Sequence, residues 1–456
     1  MAGAAHRFSA FYDRYMVSFV SKTRSMADTA EHYLQGLMRP GKKNMERMAE
    51  KVPHSEHQSL HHFVSNSPWD EREVIGQVAR DADRHLGGDA DSAFYIDESG
   101  IAKKGNMSVG VRRQWLGRLG KVDNGQVAVF AALGCREHVV PVDVRLFLPK
   151  SWTSDKERCL AAGVPEEHIV AKTKQELALE MVRQARAGGM RFNWIGADAF
   201  YGMDPAFLRA LDAAGECFVI DVHRDQFIHL QDPKPYVPCP KNKRGRKPTK
   251  LITDKPVIRV DAWAAGQSDE AWQTVRLRSS TRGELIVQVL HRHVWLWDGK
   301  EQQARPWRLI VRRELDKPDE IKYSLSNADD SVSVERLAYM QAQRYWIEFT
   351  FQEAKTHCGM ADYQVRNWRG WHHHMAMVMM AMLFHLEERL LHKETVPLLT
   401  PTDIVALLNV FLPQQRAPEV EVFNQIEARH KKRLASAKSA KKKQLKKYGT
   451  LLAMLM

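Results

Sequence analysis

The stretch Ser92-Ala93-Phe94-Tyr95-Ile96-Asp97-Glu98-Ser99-Gly100 marks the point where the chain turns from helical to β texture. Ala93 to Ile96 is a short apolar run, the length of a buried strand, and it stops at a polar cluster headed by Asp97. Three more strand-like runs follow, Val109 to Leu116, Gly125 to Leu133 and Val139 to Leu148, the last ending at Pro149. A helix is expected from Lys174 to Ala187, with Thr173 as N-cap and Gly188-Gly189 as its stop. A strand from Phe192 to Gly196 then ends at Ala197-Asp198. A helix opened by Asp204-Pro205 runs to near Gly215, and a strand from Cys217 to Val222 closes the series.

Three or four antiparallel-type strands, a helix, a strand, a helix and a strand is the order of an RNase H-like α/β core, a mixed sheet with flanking helices. Residues 225–325 break that order. They begin with a Pro- and Lys-rich segment and continue as runs rich in Val, Trp and Leu, which read as a β-rich insertion. The expected organisation is a helical domain over 1–88, core over 89–224, the insertion over 225–325, further core over 326–395, and a basic helical tail over 396–456. The first segment places Phe8, Phe11, Tyr12, Tyr15, Met16 and Phe19 at helical spacing, and Arg39, Lys42, Lys43 and Arg47 crowd its middle. It reads equally as a DNA-binding module or as a cap packed on the core. In the later core part, Ser333 to Lys355 and Trp371 to His392 read as long helices.

The chain of 456 residues carries a formal net charge of +13, an excess that points to a polyanionic partner. Five cysteines at wide spacing, with no CxxC pair, give neither a zinc ribbon nor a disulfide framework and fit a reducing cytoplasm. The apolar run from Met375 to Phe384 is too short to span a bilayer, so no membrane role is expected.

Two-metal phosphoryl transfer needs several carboxylates converging on cations about 3.5–4 Å apart. Asp97 and Asp198 follow strands that lie side by side in an RNase H-like sheet, so both would emerge at one edge. A third carboxylate is expected from a helix after the insertion. Arg344, Glu348 and Lys355 are spaced i, i+4 and i+11, about 40° and 20° round a helix, and share one face. A solvated salt-bridge face has the same spacing. Glu353 competes for the role but lies about 140° from Glu348.

The chain resembles bacterial insertion-sequence transposases of the DDE class, in the branch with a Y-x2-R-x3-E-x6-K signature. Arg344, Glu348 and Lys355 stand in register with it, and Gln341 takes the place of the leading Tyr. The segments FYIDESGIAKKG, LFLPKSW, IGADAFYG and VRNWRGWHHH are similar to that family as well, and the likeness covers most of residues 40–385. The resemblance implies a metal-binding, catalytic triad of Asp97, Asp198 and Glu348 holding two Mg²⁺ ions, with Mn²⁺ able to substitute. It implies that Arg344 and Lys355 contact the DNA end, and that the enzyme cuts transposon ends and joins them to target DNA, in some relatives through a hairpin. Partners would be terminal inverted repeats, target DNA and a second copy in a synaptic dimer or larger assembly, in the bacterial cytoplasm at the nucleoid. Tyr323, at the end of the insertion, stands near the place where relatives stack a flipped base, although a core role fits it too.

Other basic residues suit DNA. Lys103, Lys104, Arg112, Arg113, Arg118 and Lys121 cluster after Asp97. Arg244-Gly245-Arg246-Lys247 is either a minor-groove hook or a loop tip that meets phosphates. His372, His373 and His374 point 100° apart on a helix and cannot share one ion; with Arg366 and Arg369 they would line a DNA-facing surface or cap the helix. The rival readings are a domesticated, inactive DNA-binding copy and another RNase H-like nuclease.

Overall fold

The computed structural model describes residues 3–239, 247–280, 283–315, 317–415 and 418–453. Its centre is one sheet of ten strands. They are β1 (Ser92–Ala102), β2 (Arg112–Leu116), β3 (Lys121–Cys135), β4 (His138–Leu146), β5 (Trp194–Ala197) and β6 (Phe218–Val222), with four later strands described below. β1 lies between antiparallel β3 and parallel β5, and β6 continues the parallel part. Ala93, Phe94, Tyr95 and Ile96 are each at most 1% exposed. A strand covered on both faces needs such an unbroken apolar run rather than an alternating one. The mixed sheet with flanking helices is the α/β architecture expected of an RNase H-like core. The helix Lys174–Ala187 forms with its expected bounds, opened by a capping box between Thr173 and Glu176.

Asp97 does not end its strand. β1 runs five residues further, because β3 pairs with it throughout, Asp97 opposite Phe130. What ends at that level is β5: its parallel pairing stops at Ile96 with Ala197. Asp97 therefore faces a gap left by its shorter neighbour, and Asp198 is the first residue past that neighbour's end.

After the small pair β7 (Phe227–Ile228) and β8 (Ile258–Arg259), the segment expected as an insertion forms β9 (Gln273–Ser280), β10 (Gly283–Leu296), β11 (Arg305–Glu314) and β12 (Lys317–Ser326). These four make an antiparallel meander that joins the core sheet, since β12 pairs with β6 from Tyr323 with Val222 to Ser326 with Val219. Ser333 to Lys355 is two helices rather than one, Val334–Gln343 and Tyr345–His357, which meet at Arg344. The ladder tightens there, Ile347 N–H bonding to the Arg344 carbonyl, where the Arg344 side chain is held on several sides.

The helix Trp368–Leu391 is buried almost all round from Gly370 to Leu386, the pattern of a central core helix. Against it pack the helices Ala27–Leu37, His57–Ser65 and Glu71–Leu86. Arg7 and Arg14 on the first helix, Ala4–Met16, pair with Glu388 (2.6 Å) and Glu387 (2.7 Å). The first 86 residues thus share the core. Arg39 and Lys43 are buried, and Arg39 donates to the Pro413 carbonyl. The three histidines are buried and do not line a surface. His372 meets the Trp368 carbonyl, His373 the carbonyls of Val64 and Trp69, and His374 the Tyr33 hydroxyl. The basic tail forms the helix Glu419–Ala453, mostly exposed over residues 422–442. Among the described residues no helix is long and apolar enough to cross a membrane.

The short helix Ala199–Gly202 lies on β6 so closely that a Cβ at Gly202 would stand 1.9 Å from the Asp221 carbonyl oxygen. Gly202→Ala is expected to lower stability by about 3 kcal/mol, the size of an overpacked core contact. Urea denaturation checks this, and a loss below about 0.5 kcal/mol would mean that the helix is free to move.

Candidate active site

Asp97, Asp198 and Glu348 line one cleft of about 640 Å³, together with Glu98, Arg344 and Lys355. Three elements deliver the acids. Asp97 projects from β1 and is fixed by the Glu98 N–H, which donates to Oδ1 at 2.6 Å. Asp198 caps the helix Ala199–Gly202, its Oδ1 accepting from Phe200 N–H at 3.1 Å. Glu348 sits in the first turn of Tyr345–His357 and is exposed at the cleft wall. Glu353 is buried on another face of that helix, 3.5 Å from Arg389, and takes no part in the cleft.

Arg344 stands among the acids. Its Nη1 is 3.5 Å from Asp97 Oδ2, its Nε donates to Asp221 Oδ2 at 3.0 Å, and its Nη2 donates to Glu348 Oε1 at 2.8 Å. Asp221, on β6, escaped the sequence reading. Its alternation on a buried strand is that of any mid-strand polar residue, and only the fold reveals that it faces Arg344. A chain of bonds holds it: Ser324 Oγ donates to Asp221 Oδ1 (2.6 Å), Gln341 Nε2 to Ser324 Oγ (2.7 Å), and Arg312 Nε to Gln341 Oε1 (3.0 Å). Gln341, at the signature's Tyr position, is thus buried behind the site.

Burial and the adjacent Asp198 charge push the Asp97 carboxyl up to about 7, against the opposing pull of Arg344. Burial likewise raises Asp198, again opposed by Arg344. Burial works against the Arg344 charge, but Asp221, Asp97 and Glu348 more than offset it and hold the guanidinium protonated. Burial, reinforced by Arg118, brings Lys355 down to about 8.

The donor set suits hard divalent cations, which take carboxylate oxygens. One further observation fits: Glu98 Oε2 is buried in the same cleft without a hydrogen-bond partner, although Oε1 pairs with Lys174 at 2.7 Å. Among the described residues no three His, Cys, Asp or Glu side chains already converge on a point an ion could take. The guanidinium stands among the acids instead.

The other expected DNA contacts disperse. Lys103 and Lys104 line a separate groove, where Lys103 Nζ lies 3.3 Å from the centre of the Tyr363 ring. Arg112 and Arg113 are exposed on β2, and Lys247 is exposed. Tyr323 is 8% exposed and lines a neighbouring cavity beside Asp221. Arg244 and Arg246 lie outside the described residues.

Residues 17–284 match the family described as DDE superfamily endonuclease. The chain belongs to that family. The DDE match takes in Asp97, Asp198 and Asp221 and ends before Arg344 and Glu348. A probable transposase for insertion sequence element IS701 from Microchaete diplosiphon is 23% identical over 337 residues, 72% of this chain and 73% of that relative. The kinship with bacterial insertion-sequence DDE transposases, read from the sequence, holds.

The raised Asp97 makes a pH prediction for this DDE protein. Its unfolded carboxyl titrates near 3.9. The fold therefore binds that proton more tightly, and the associated stability is full below about 4 and lost as pH rises through about 7. Without divalent metal, Asp97→Asn should gain in melting temperature over wild type on going from pH 5 to pH 8. An equal difference at both pH values would refute the assignment.

Proposed function

We propose that this protein is an active DNA transposase that cleaves the ends of its element and joins them to target DNA. The observation that carries the reading is that Asp97, Asp198 and Glu348, far apart in sequence, line one cleft with Arg344 and Lys355. Asp97, Asp198 and Glu348 would hold two Mg²⁺ ions, or Mn²⁺ in their place, which when bound supply an activated water and stabilise the leaving oxygen of an in-line displacement. The chain's own residues do the rest. The floor of β1 and the Asp198 cap keep two carboxylates rigid while the DNA strand enters. Glu348, exposed and among the described residues ion-paired with Arg344 alone, is the acid free to turn. Arg344 and Lys355 would then take the phosphates beside the scissile bond, positioning them for attack.

Water breaks the phosphodiester at each terminal inverted repeat and leaves a 3′-OH. That hydroxyl then attacks a target phosphodiester, one P–O bond forming as another breaks. A hairpin route would add attack on the opposite strand, and the cavity at Tyr323 is the place for a displaced base. Lys103, Lys104, Arg112, Arg113 and Lys247 are exposed or half-buried cations suited to the DNA backbone, and Arg244 and Arg246 precede the last of them in sequence. Holding two ends together calls for a dimer or a larger complex.

A strand-transfer assay with Mg²⁺ on oligonucleotides carrying the terminal repeats tests the reading. Wild type should cleave and join, while Asp198→Ala and Glu348→Gln should each lose on the order of 10³-fold in rate, the worth of several kcal/mol of charge stabilisation. End binding should change little. If Asp198→Ala reacts like wild type, the protein is not this enzyme; if scrambled repeats are cut equally well, it is a less selective nuclease.

A further inference from the structure

Of the twelve tryptophans, all among the described residues, Trp115 alone is exposed, at 57%. It stands on β2, an edge strand of the sheet, directly opposite Val122 of β3, which is itself 50% exposed. Leu119, in the turn between them, is 43% exposed. The hairpin is nevertheless firmly seated. Strand alternation turns Leu116 inward, 1% exposed, where its side chain fills the space a Cβ on Gly100 or Gly125 would need. Gly120 supplies the left-handed residue of the turn, at φ 59°. Trp115 is therefore held out by the register and is not a loose core residue.

Its position gives the exposure a use. Trp115, Gly117 and Arg118 form one wall of the cleft that holds Asp97, Asp198 and Glu348. The same hairpin carries the exposed cations Arg112, Arg113, Arg118 and Lys121. A large flat apolar ring amid cations, facing a phosphodiester site, suits a partner that is both polyanionic and planar. Paired duplex DNA hides its base faces, so the ring can be covered only where a base has left its partner.

We propose that Trp115 is a positioning residue on which an unpaired base beside the scissile phosphate stacks, so that the DNA end enters the cleft frayed. The inference rests on the reading of Asp97, Asp198 and Glu348 as the catalytic acids. It is distinct from any role of Tyr323, which lies in another cavity on β12. With Trp115 under the base, Arg118 is placed for the neighbouring phosphate and Val122 closes the side of the ring.

Two measurements on the full-length protein test this. Cleavage of fully paired ends by Trp115→Ala should slow about tenfold, within the range of one lost base–aromatic stack. Ends with a mismatch at the scissile step should be cut at nearly wild-type rate, and Trp115→Phe should keep most activity on both. Separately, ends carrying 5-iodouracil at that step should photocrosslink to residue 115 in an Asp198→Ala background, where cleavage is not needed. Crosslinking elsewhere, or equal slowing on paired and mismatched ends, overturns the proposal. So does a Trp115→Ala protein that cleaves normally but changes its mass in light scattering, which would make the hairpin a subunit contact. Normal cleavage by Asp198→Ala would instead sink the catalytic reading, and the crosslink would still report on Trp115.

Discussion

A buried guanidinium among acids is the constraint around which this protein is arranged. Arg344 touches Asp97 on β1, Asp221 on β6 and Glu348 one helical turn ahead, and behind Asp221 the Ser324–Gln341–Arg312 chain reaches two strands of the later meander. Removing Arg344 would leave Asp97 and Asp221 without their shared counter-charge, which is far costlier than the intact group is beneficial. The cluster therefore fixes how the two helices after β12 lie on the sheet. The break at Arg344 follows from the same demand, since the residue must direct its side chain to two strands and to its own helix at once.

Much of this was readable in advance because it follows from local rules. The apolar run before Asp97 predicted a strand, though not its continuation past Asp97, and Thr173 as N-cap predicted the start of a helix to the residue. The angular argument that favoured Glu348 over Glu353 agrees with the geometry, because helical periodicity survives a one-residue irregularity. The break itself was not readable, since nothing between Gln343 and Tyr345 breaks helices. Asp221 was hidden because its role exists only across strands. Trp115 was hidden because an aromatic on a strand is usually core, and only the edge position of β2 turns it outward. Charge alone did not place the basic residues: Arg39 and Lys43 carry charge into the interior, and Lys103 lies in a different groove from the acids.

The site is also a place of stored electrostatic conflict. Asp97 is buried and Asp198 half-buried, and the Asp198 charge opposes the ionisation of Asp97, with Arg344 relieving only part of the conflict. Groups with strongly shifted titration gather at functional clefts. The surrounding structure tolerates it because β1 is pinned on both sides and the Trp368–Leu391 helix anchors the helices beneath.

The pairing of β6 with β12 has a consequence for how the protein is made. β6 is complete at residue 222, but its second neighbour starts at residue 317. During synthesis that edge stays open while roughly a hundred further residues emerge, an invitation to the wrong strand. The Arg344 clamp comes later still. A ribosome that stalls before the final quarter of the message therefore releases a product that has Asp97 and Asp198 but lacks Arg344 and Glu348, so truncated copies are born with one wall of the cleft missing.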